Sequence, residues 1–356
     1  MVFSTYQGVR IAAIAASVAE RVVDINALKD RPDEDPKVID TFIKKTGITQ
    51  IHKCGVTQTA ADFSYTAAKA IEAAGKYSPE EIGVLIDLTQ TPDYRTPSTA
   101  CALHKRLGLS KSCLAFDINL GCSGFVYGVA LAAGILSTST ATKALVLVGD
   151  TLARGRNPQN KAKRKSNTSL LFGDASAAVL LVKDDTASLR AALMSDGAGH
   201  KALSTPYNAW KHPVGPEGYP GDDLAVFNFT INEIPEIILA FLERTGTAIT
   251  DYDELVLHQA NMMIMKNIAK RVSMPMEKVP VSLDRYGNTS GASIPLTLVD
   301  RYGESREPRV LKLLTSGFGV GLSWGVVSFE IDVRDILPLT IGKDTYDDGY
   351  PENPQP

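Results

Sequence analysis

The sequence predicts an α/β protein made of two copies of one βαβαβ-type unit, with mostly parallel strands covered by helices on both faces. Three observations predict it. Short apolar runs of strand length alternate with helical patterns along most of the chain. The run at 82–88 (IGVLIDL) is almost continuously apolar, as a strand buried on both faces must be. The layout also repeats: Phe172-Gly173 precedes Ala178-Val179-Leu180-Leu181 as Phe318-Gly319 precedes Gly325-Val326-Val327, and Val84-Leu85-Ile86 answers Val256-Leu257-His258. The boundary between copies is placed at 183–189, giving halves 1–185 and 186–338 with a cleft between them as the natural site.

In order, residues 11–19 (IAAIAASVA) follow one basic residue, Arg10, and read as a first core strand rather than a signal-peptide core. Residues 37–47 read as a short helix stopped by Gly47, and 59–74 as an amphipathic helix of Ala, Ile and Phe. After the strand at 82–88 comes a polar Thr/Pro loop, 89–98, then helix 99–107, strand 112–118, helix 124–136 and strand 144–148. Residues 154–167 are basic and polar, either a solvated loop or an anion site. Residues 169–182 read as two strands around a Gly-Asp bend, and 198–223, rich in Gly and Pro, as an excursion from the core. Helix 234–245, strand 254–257, helix 262–271, strand 309–314 and a bent strand pair from Phe318 complete the second copy. Residues 339–356 carry Asp, Tyr, Asn and Pro without apolar periodicity and read as a loose tail.

With 356 residues and 44% hydrophobic content, the chain can bury a sizeable core. A net charge of -3 and a pI near 6.0 point away from nucleic acid and from an anionic membrane surface. No run reaches the ~18 apolar residues of a spanning helix, so no membrane insertion is expected. Four cysteines without C-x-x-C spacing fit neither a disulfide framework nor a metal site, and suit a reducing cytoplasm.

Chemistry concentrates in four segments, three of them punctuated by glycine. Residues 117–125 (DINLGCSGF) turn from a strand into a helix of small residues and present Cys122 at the helix start. There unpaired N–H groups favour a thiolate, unless Cys122 is simply a small buried hydrophobe. His258-Gln259-Ala260-Asn261 follows a strand, where α/β sheets place reactive groups; a structural histidine fits there too. Asn288 stands in Gly-Asn-Thr-Ser before a helix, as donor or as cap. Residues 317–321 (GFGVG) form either an oxyanion-binding turn or a tight hairpin.

Taken together, GCSGF, HQAN, GNTSGAS and GFGVGLSWG resemble, in order and spacing, the thiolase superfamily and within it the 3-oxoacyl-[acyl-carrier-protein] synthase III group. Lys45-Thr46-Gly47-Ile48, Thr96-Pro97-Ser98, Asp150-Thr151-Leu152-Ala153-Arg154 and Phe172-Gly173-Asp174-Ala175 support it, over residues 8–332. The resemblance implies a thiolase-like fold of two halves in a layered αβαβα core. It also implies a decarboxylative Claisen condensation: Cys122 takes a primer acyl group, backbone amides of Cys122 and Val320 hold the oxyanion, and His258 and Asn288 stabilise the enolate left when malonyl thioester loses CO₂. No metal or other cofactor is implied. An acyltransferase passing the acyl group to an alcohol or amine, and a non-catalytic partner subunit, are the alternatives.

The same resemblance assigns Thr96 and Phe318 to the acyl pocket, Thr96 replacing a bulkier residue of acetyl-primed members, so a longer primer is expected. Carrier protein or CoA would be held by Lys45, Arg154, Lys161, Lys266, Lys270 and Arg271. Thr41 stands where acyl-CoA users often place an adenine-stacking Trp, which favours an acyl-carrier-protein donor. Homodimerisation is implied, with the Thr96 loop reaching the neighbouring subunit.

Overall fold

The computed structural model describes residues 1–32, 34–153, 168–207, 209–215 and 221–350. In its first part β1 (Val2–Ala19), β2 (Arg21–Asp24), α1 (Pro36–Thr46), β3 (Gln50–Lys53), α2 (Ala60–Ala73), β4 (Ile82–Leu88), α3 (Thr99–Arg106), β5 (Leu114–Ile118), α4 (Gly124–Thr138), β6 (Lys143–Asp150), α5 (Thr168–Leu171) and β7 (Ala175–Ser195) succeed one another. Then come α6 (Asp223–Thr245), β8 (Glu254–Leu257), α7 (Met262–Arg271), α8 (Leu283–Tyr286), α9 (Ser293–Tyr302), β9 (Val310–Gly319), β10 (Ser323–Asp332) and β11 (Thr340–Gly342).

The repeat is visible in the strand pairing. β4 lies parallel to β6, β6 antiparallel to β7 and β7 antiparallel to β1; likewise β8 lies parallel to β9, β9 antiparallel to β10 and β10 antiparallel to β7. The long strands β1 and β7 serve both copies, pairing at Val9–Val18 with 175–183 in one sheet and at 2–7 with 188–193 in the other. The expected boundary near residue 185 therefore falls inside β7, a strand the two halves share.

Side-chain alternation builds the layers. Along β6, Leu145 and Leu147 face α2 and α3, whereas Ala144, Val146 and Val148 face α4 and α9. In the second sheet Val256, Leu311 and Leu313 face that same middle layer, and Leu255, Leu257 and Leu314 face α6 and α7 on the far side. The order is α2/α3, sheet, α4/α9, sheet, α6/α7, the five-layered arrangement expected. α4 is short of polar residues because it is buried between two sheets, with Gly124 and Gly128 letting it approach Leu88, Val146 and Val148.

Several expectations need correction. Residues 169–182 are not two strands: α5 precedes the Phe172-Gly173 bend, and β7 runs on from Ala175 without a break. α6 begins eleven residues before the expected helix, capped by Asp222 accepting the Ala225 N–H at 2.9 Å, and runs through Pro235. At 23 residues it is also long and apolar enough to cross a membrane, against the expectation that no run is; its Ile234, Ile237, Ile238 and Phe241 are buried in this core instead. The tail is not loose over its described part. Thr340–Gly342 pairs in parallel with Ser17–Ala19, because the edge of β1 is open there to new backbone partners.

Candidate active site

Three chain crossings deliver the site to the ends of α4 and α9 in the middle layer. Cys122 occupies the turn from β5 into α4, closed by the Gly124 N–H donating to the Gly121 carbonyl at 2.7 Å. On the other side Gly291 enters α9: a Cβ there would stand 2.8 Å from the Gly121 carbonyl oxygen and 2.5 Å from Val148, so only glycine lets the two helix starts touch. The end of β9 closes the third side. A Cβ on Gly319 would lie 2.6 Å from the Cys122 Cβ and 3.3 Å from Sγ.

His258 follows β8, its N–H donating to the Ser316 carbonyl at 2.9 Å and so extending the β8–β9 ladder. Its buried ring stands edge-on to Phe318, centroids 5.3 Å apart, with Nδ1 2.7 Å from the Ser293 hydroxyl. Burial drives the imidazole pKa down to about 3, opposed by a hydrogen bond between the ring and the Ser290 backbone, so the ring is neutral at physiological pH. Asn288 is fixed by its own backbone: its N–H donates to the Leu171 carbonyl at 2.8 Å, and its carbonyl accepts the Gly173 N–H at 3.1 Å. Its side-chain oxygen accepts the Ser290 N–H at 2.9 Å. The other face of that carboxamide is its NH₂, a donor.

Ser290 joins the three groups. Its N–H holds Asn288, its backbone bonds the His258 ring, and its Oγ lies 3.8 Å from Cys122 Sγ and 3.3 Å from Gln90 Nε2. It does so in the left-handed region, φ 53°, a conformation costing a non-glycine residue on the order of 1–3 kcal/mol. Behind it, buried Asp150 accepts the backbone N–H groups of Gln90 (2.7 Å) and Thr91 (3.1 Å).

The arrangement is a buried thiol linked through Ser290 to a neutral imidazole and a carboxamide. Cys122 is 7% exposed, and burial pushes its pKa up to about 12, the Asp150 carboxyl adding to the rise and the Ser290 hydroxyl opposing it. Against the expectation that the helix start would favour a resting thiolate, burial holds the thiol protonated.

Residues 116–197 match the family described as 3-Oxoacyl-[acyl-carrier-protein (ACP)] synthase III, and 242–331 its C-terminal part. A beta-ketoacyl-[acyl-carrier-protein] synthase III of Xanthomonas campestris pv. campestris is 36% identical over 89% of this chain and 96% of its own length. The chain belongs to the beta-ketoacyl-[acyl-carrier-protein] synthase III family. A relative of the same name from Symbiobacterium thermophilum is 33% identical over 90% of this chain and 98% of its own. The crystal structure of a 3-oxoacyl-(acyl-carrier protein) synthase from Burkholderia xenovorans superposes with a TM-score of 0.86 at 32% identity, covering 96% of this chain and 99% of that one.

Within this synthase III chain the remaining expected residues separate. Phe318 is at the site against His258, and Val320 is in the turn beside Cys122, its carbonyl accepting the Ser323 hydroxyl at 2.6 Å. Thr96 is exposed, on a cavity of about 310 Å³ that it shares with Tyr94, Arg95, Asp117 and Asn119. Lys45, Lys266 and Lys270 are exposed, Lys45 in the last turn of α1 and the other two one turn apart on α7. Gly47 brings these helices together, a Cβ there lying 3.1 Å from the Met262 Cβ. Arg271 is committed otherwise: its guanidinium bonds the Ile231 carbonyl and the Asn232 side chain, clamping α7 to α6. Arg154 and Lys161 lie outside the described residues. The motif reading picks out Asn288 but passes over Ser290 and Ser293 in the same seven-residue segment; their polarity on a helix buried all round is the signal that finds them.

Proposed function

We propose that this chain is an acyltransferase that condenses a primer acyl thioester with malonyl-acyl-carrier protein, through an acyl-Cys122 intermediate, to give a 3-oxoacyl-acyl-carrier protein. The thiol sulfur attacks the primer carbonyl, and its proton leaves with the departing CoA or carrier thiol. The amides of Cys122 and Val320 hold the oxyanion during that transfer. Malonyl thioester then breaks its bond to the carboxylate and releases CO₂. The electron pair left behind is held as an enolate by donors from His258 and Asn288, and its carbon attacks the acyl-cysteine carbonyl, breaking the carbon–sulfur bond and expelling the Cys122 thiolate, which takes a proton from solvent.

The observation that carries this reading is the direction of the Asn288 carboxamide. With its oxygen spent on the Ser290 N–H, the group has its NH₂ left to offer, a donor, which an enolate oxygen needs and acyl transfer to an alcohol does not. A neutral His258 suits the same duty, since a donor must keep its proton while charge grows on the substrate. The chemistry draws on the chain's own groups and its thioester substrates, without metal or redox cofactor.

Exposed Lys45, Lys266 and Lys270 offer cations to an acidic carrier protein, and the exposed Thr41 offers no ring to adenine, which supports a carrier-bound donor. Homodimerisation is supported by β5, an edge strand among the described residues, with Leu114 51% exposed on it. None of the four cysteines is in a disulfide, in keeping with a cytoplasmic location. The test incubates the protein with acyl-CoA and acyl-carrier-protein primers, then with malonyl-acyl-carrier protein. Acyl mass on Cys122 followed by CO₂ release is expected; acylation with transfer to another acceptor and no CO₂ would overturn the proposal.

A further inference from the structure

Two segments take no part in the chemistry above, the stretch after β10 and the excursion before α6, and both converge on the loop at 89–98. After β11, Gln58 Nε2 donates to the carbonyls of Gly342 (3.0 Å) and Asp344 (3.3 Å). The Arg106 guanidinium then lies against the rings of Tyr65 (4.0 Å) and Tyr346 (5.0 Å) while donating to Asp62 at 2.7 Å, and Asp62 also accepts the Tyr346 N–H at 3.0 Å. So anchored, the chain delivers Asp348, which accepts the Tyr94 hydroxyl at 2.8 Å, with the Tyr350 ring 6.4 Å from that of Tyr94. The next residue, Arg95, is 5.7 Å from the ring of Trp210 in the excursion.

At its opposite end this loop is tied to the chemistry: Gln90 and Thr91 donate to Asp150, and Gln90 reaches Ser290, the residue between Cys122, His258 and Asn288. Its far end lines the cavity of about 310 Å³, together with Asn119 just upstream of Cys122. The family's C-terminal match ends at residue 331, so the Asp348 strap lies beyond the matched segment.

We propose that the C-terminal segment 340–350 and the excursion fix the 89–98 loop through Tyr94 and Arg95, and that this fixation determines which primer chains the site accepts. Asp348 and Trp210 are then positioning residues for Tyr94, Arg95 and Thr96. The proposal rests on the condensing reading above. A flexible surface loop would tolerate primers of many shapes, whereas one pinned at both ends presents a single cavity wall.

The test measures rates of Cys122 acylation, by intact mass, with straight-chain acyl-CoA and acyl-carrier-protein thioesters of short, medium and long chain. Asp348→Ala, and a chain ending at Gly342, are expected to shift the long-to-short rate ratio by about fivefold or more in the same direction. Asp348→Asn keeps an acceptor for the Tyr94 hydroxyl and is expected to restore the wild-type ratio. Tyr94→Phe in the Asp348→Ala background is expected to add nothing, as two ends of one contact should. Reaction of Cys122 with iodoacetamide serves as a control for general damage and is expected to be unchanged. Ratios within about twofold of wild type in Asp348→Ala overturn the proposal while leaving the condensing reading intact, and so does failure of Asp348→Asn to restore the ratio. Absence of any acyl transfer to the wild-type protein overturns both.

Discussion

The starts of α4 and α9 occupy the same layer of the fold and meet through Gly121 and Gly291, yet they do different work. The turn into α4 presents the Cys122 thiol, and the helix itself is largely apolar, with Gly124 and Gly128 letting it sink between the sheets. The turn into α9 presents no thiol but fixes Asn288 through the Ser290 N–H, and the first residue of α9, Ser293, bonds His258. Of the two facing helix ends, one carries the thiol and the other frames the carboxamide and the imidazole. The difference teaches that the frame can fail separately from the nucleophile.

The largest separation is expected between Cys122→Ala and Asn288→Ala. The first removes the atom that takes the acyl group, so primer labelling should vanish. The second leaves labelling intact and removes one donor to the enolate, a loss of about 2.7–4 kcal/mol, or roughly 10²–10³ in the rate of CO₂ release. Equal labelling of the two variants, or equal loss of it, would abolish the contrast.

Next in size is the contact itself. Gly291→Ala drives a methyl group against Val148 and the Gly121 carbonyl, atoms of a rigid sheet and a tight turn that cannot step aside. We expect a loss of about 1–3 kcal/mol of stability in denaturant unfolding, with CO₂ release falling as the helix starts move apart. Gly75→Ala, where nothing lies within 4 Å but φ is 70°, is a backbone-only control with a smaller cost.

Ser293→Ala asks what the frame is worth. The Ser293 oxygen accepts the Gln259 N–H at 3.3 Å, so its own hydrogen is available to Nδ1 of His258, leaving the ring proton on Nε2. Without that bond nothing on Ser293 fixes the ring proton on Nε2, and CO₂ release should fall about tenfold with little change in the acylation rate. Ser293→Thr, which keeps the hydroxyl, should recover most of the loss; a variant that loses both steps together would place Ser293 in the fold rather than in the reaction.

What the chain declares in advance follows the same division. The Gly-flanked turns around Cys122 and Asn288 are legible because close backbone approach demands glycine at fixed positions, His258 because it directly follows a short apolar strand, and the layers because apolar periodicity is local. Ionisation state is not local. Cys122 sits at a helix start, as its flanking residues indicate, but its high pKa comes from β9 and α9 packing over it, residues up to about 200 positions away. The last described segment is illegible for another reason. It is ordered by backbone pairing to β1 and by Arg106 against Tyr346, neither of which leaves a periodic trace. The α6 start is hidden by Asn232 and Pro235, which read as breakers until packing overrides them.

The smallest expected effect is none. With the His258 pKa at about 3, its charge does not change between about pH 5.5 and 8, so CO₂ release from malonyl thioester should be flat there. Stability should not be flat. An unfolded histidine takes up a proton near pH 6.5, whereas the folded one resists it down to about pH 3, so within that window the unfolded state binds more protons and folding stability falls as pH falls. His258→Asn removes this titration. The stability of the wild type relative to that variant should therefore decline by roughly a few kcal/mol as pH drops from about 6.5 toward 4, most of it below pH 5.5. A CO₂-release profile with an inflection near pH 6.5 would mean that His258 titrates like an exposed imidazole, and then the α9 frame does not shield the donor it holds.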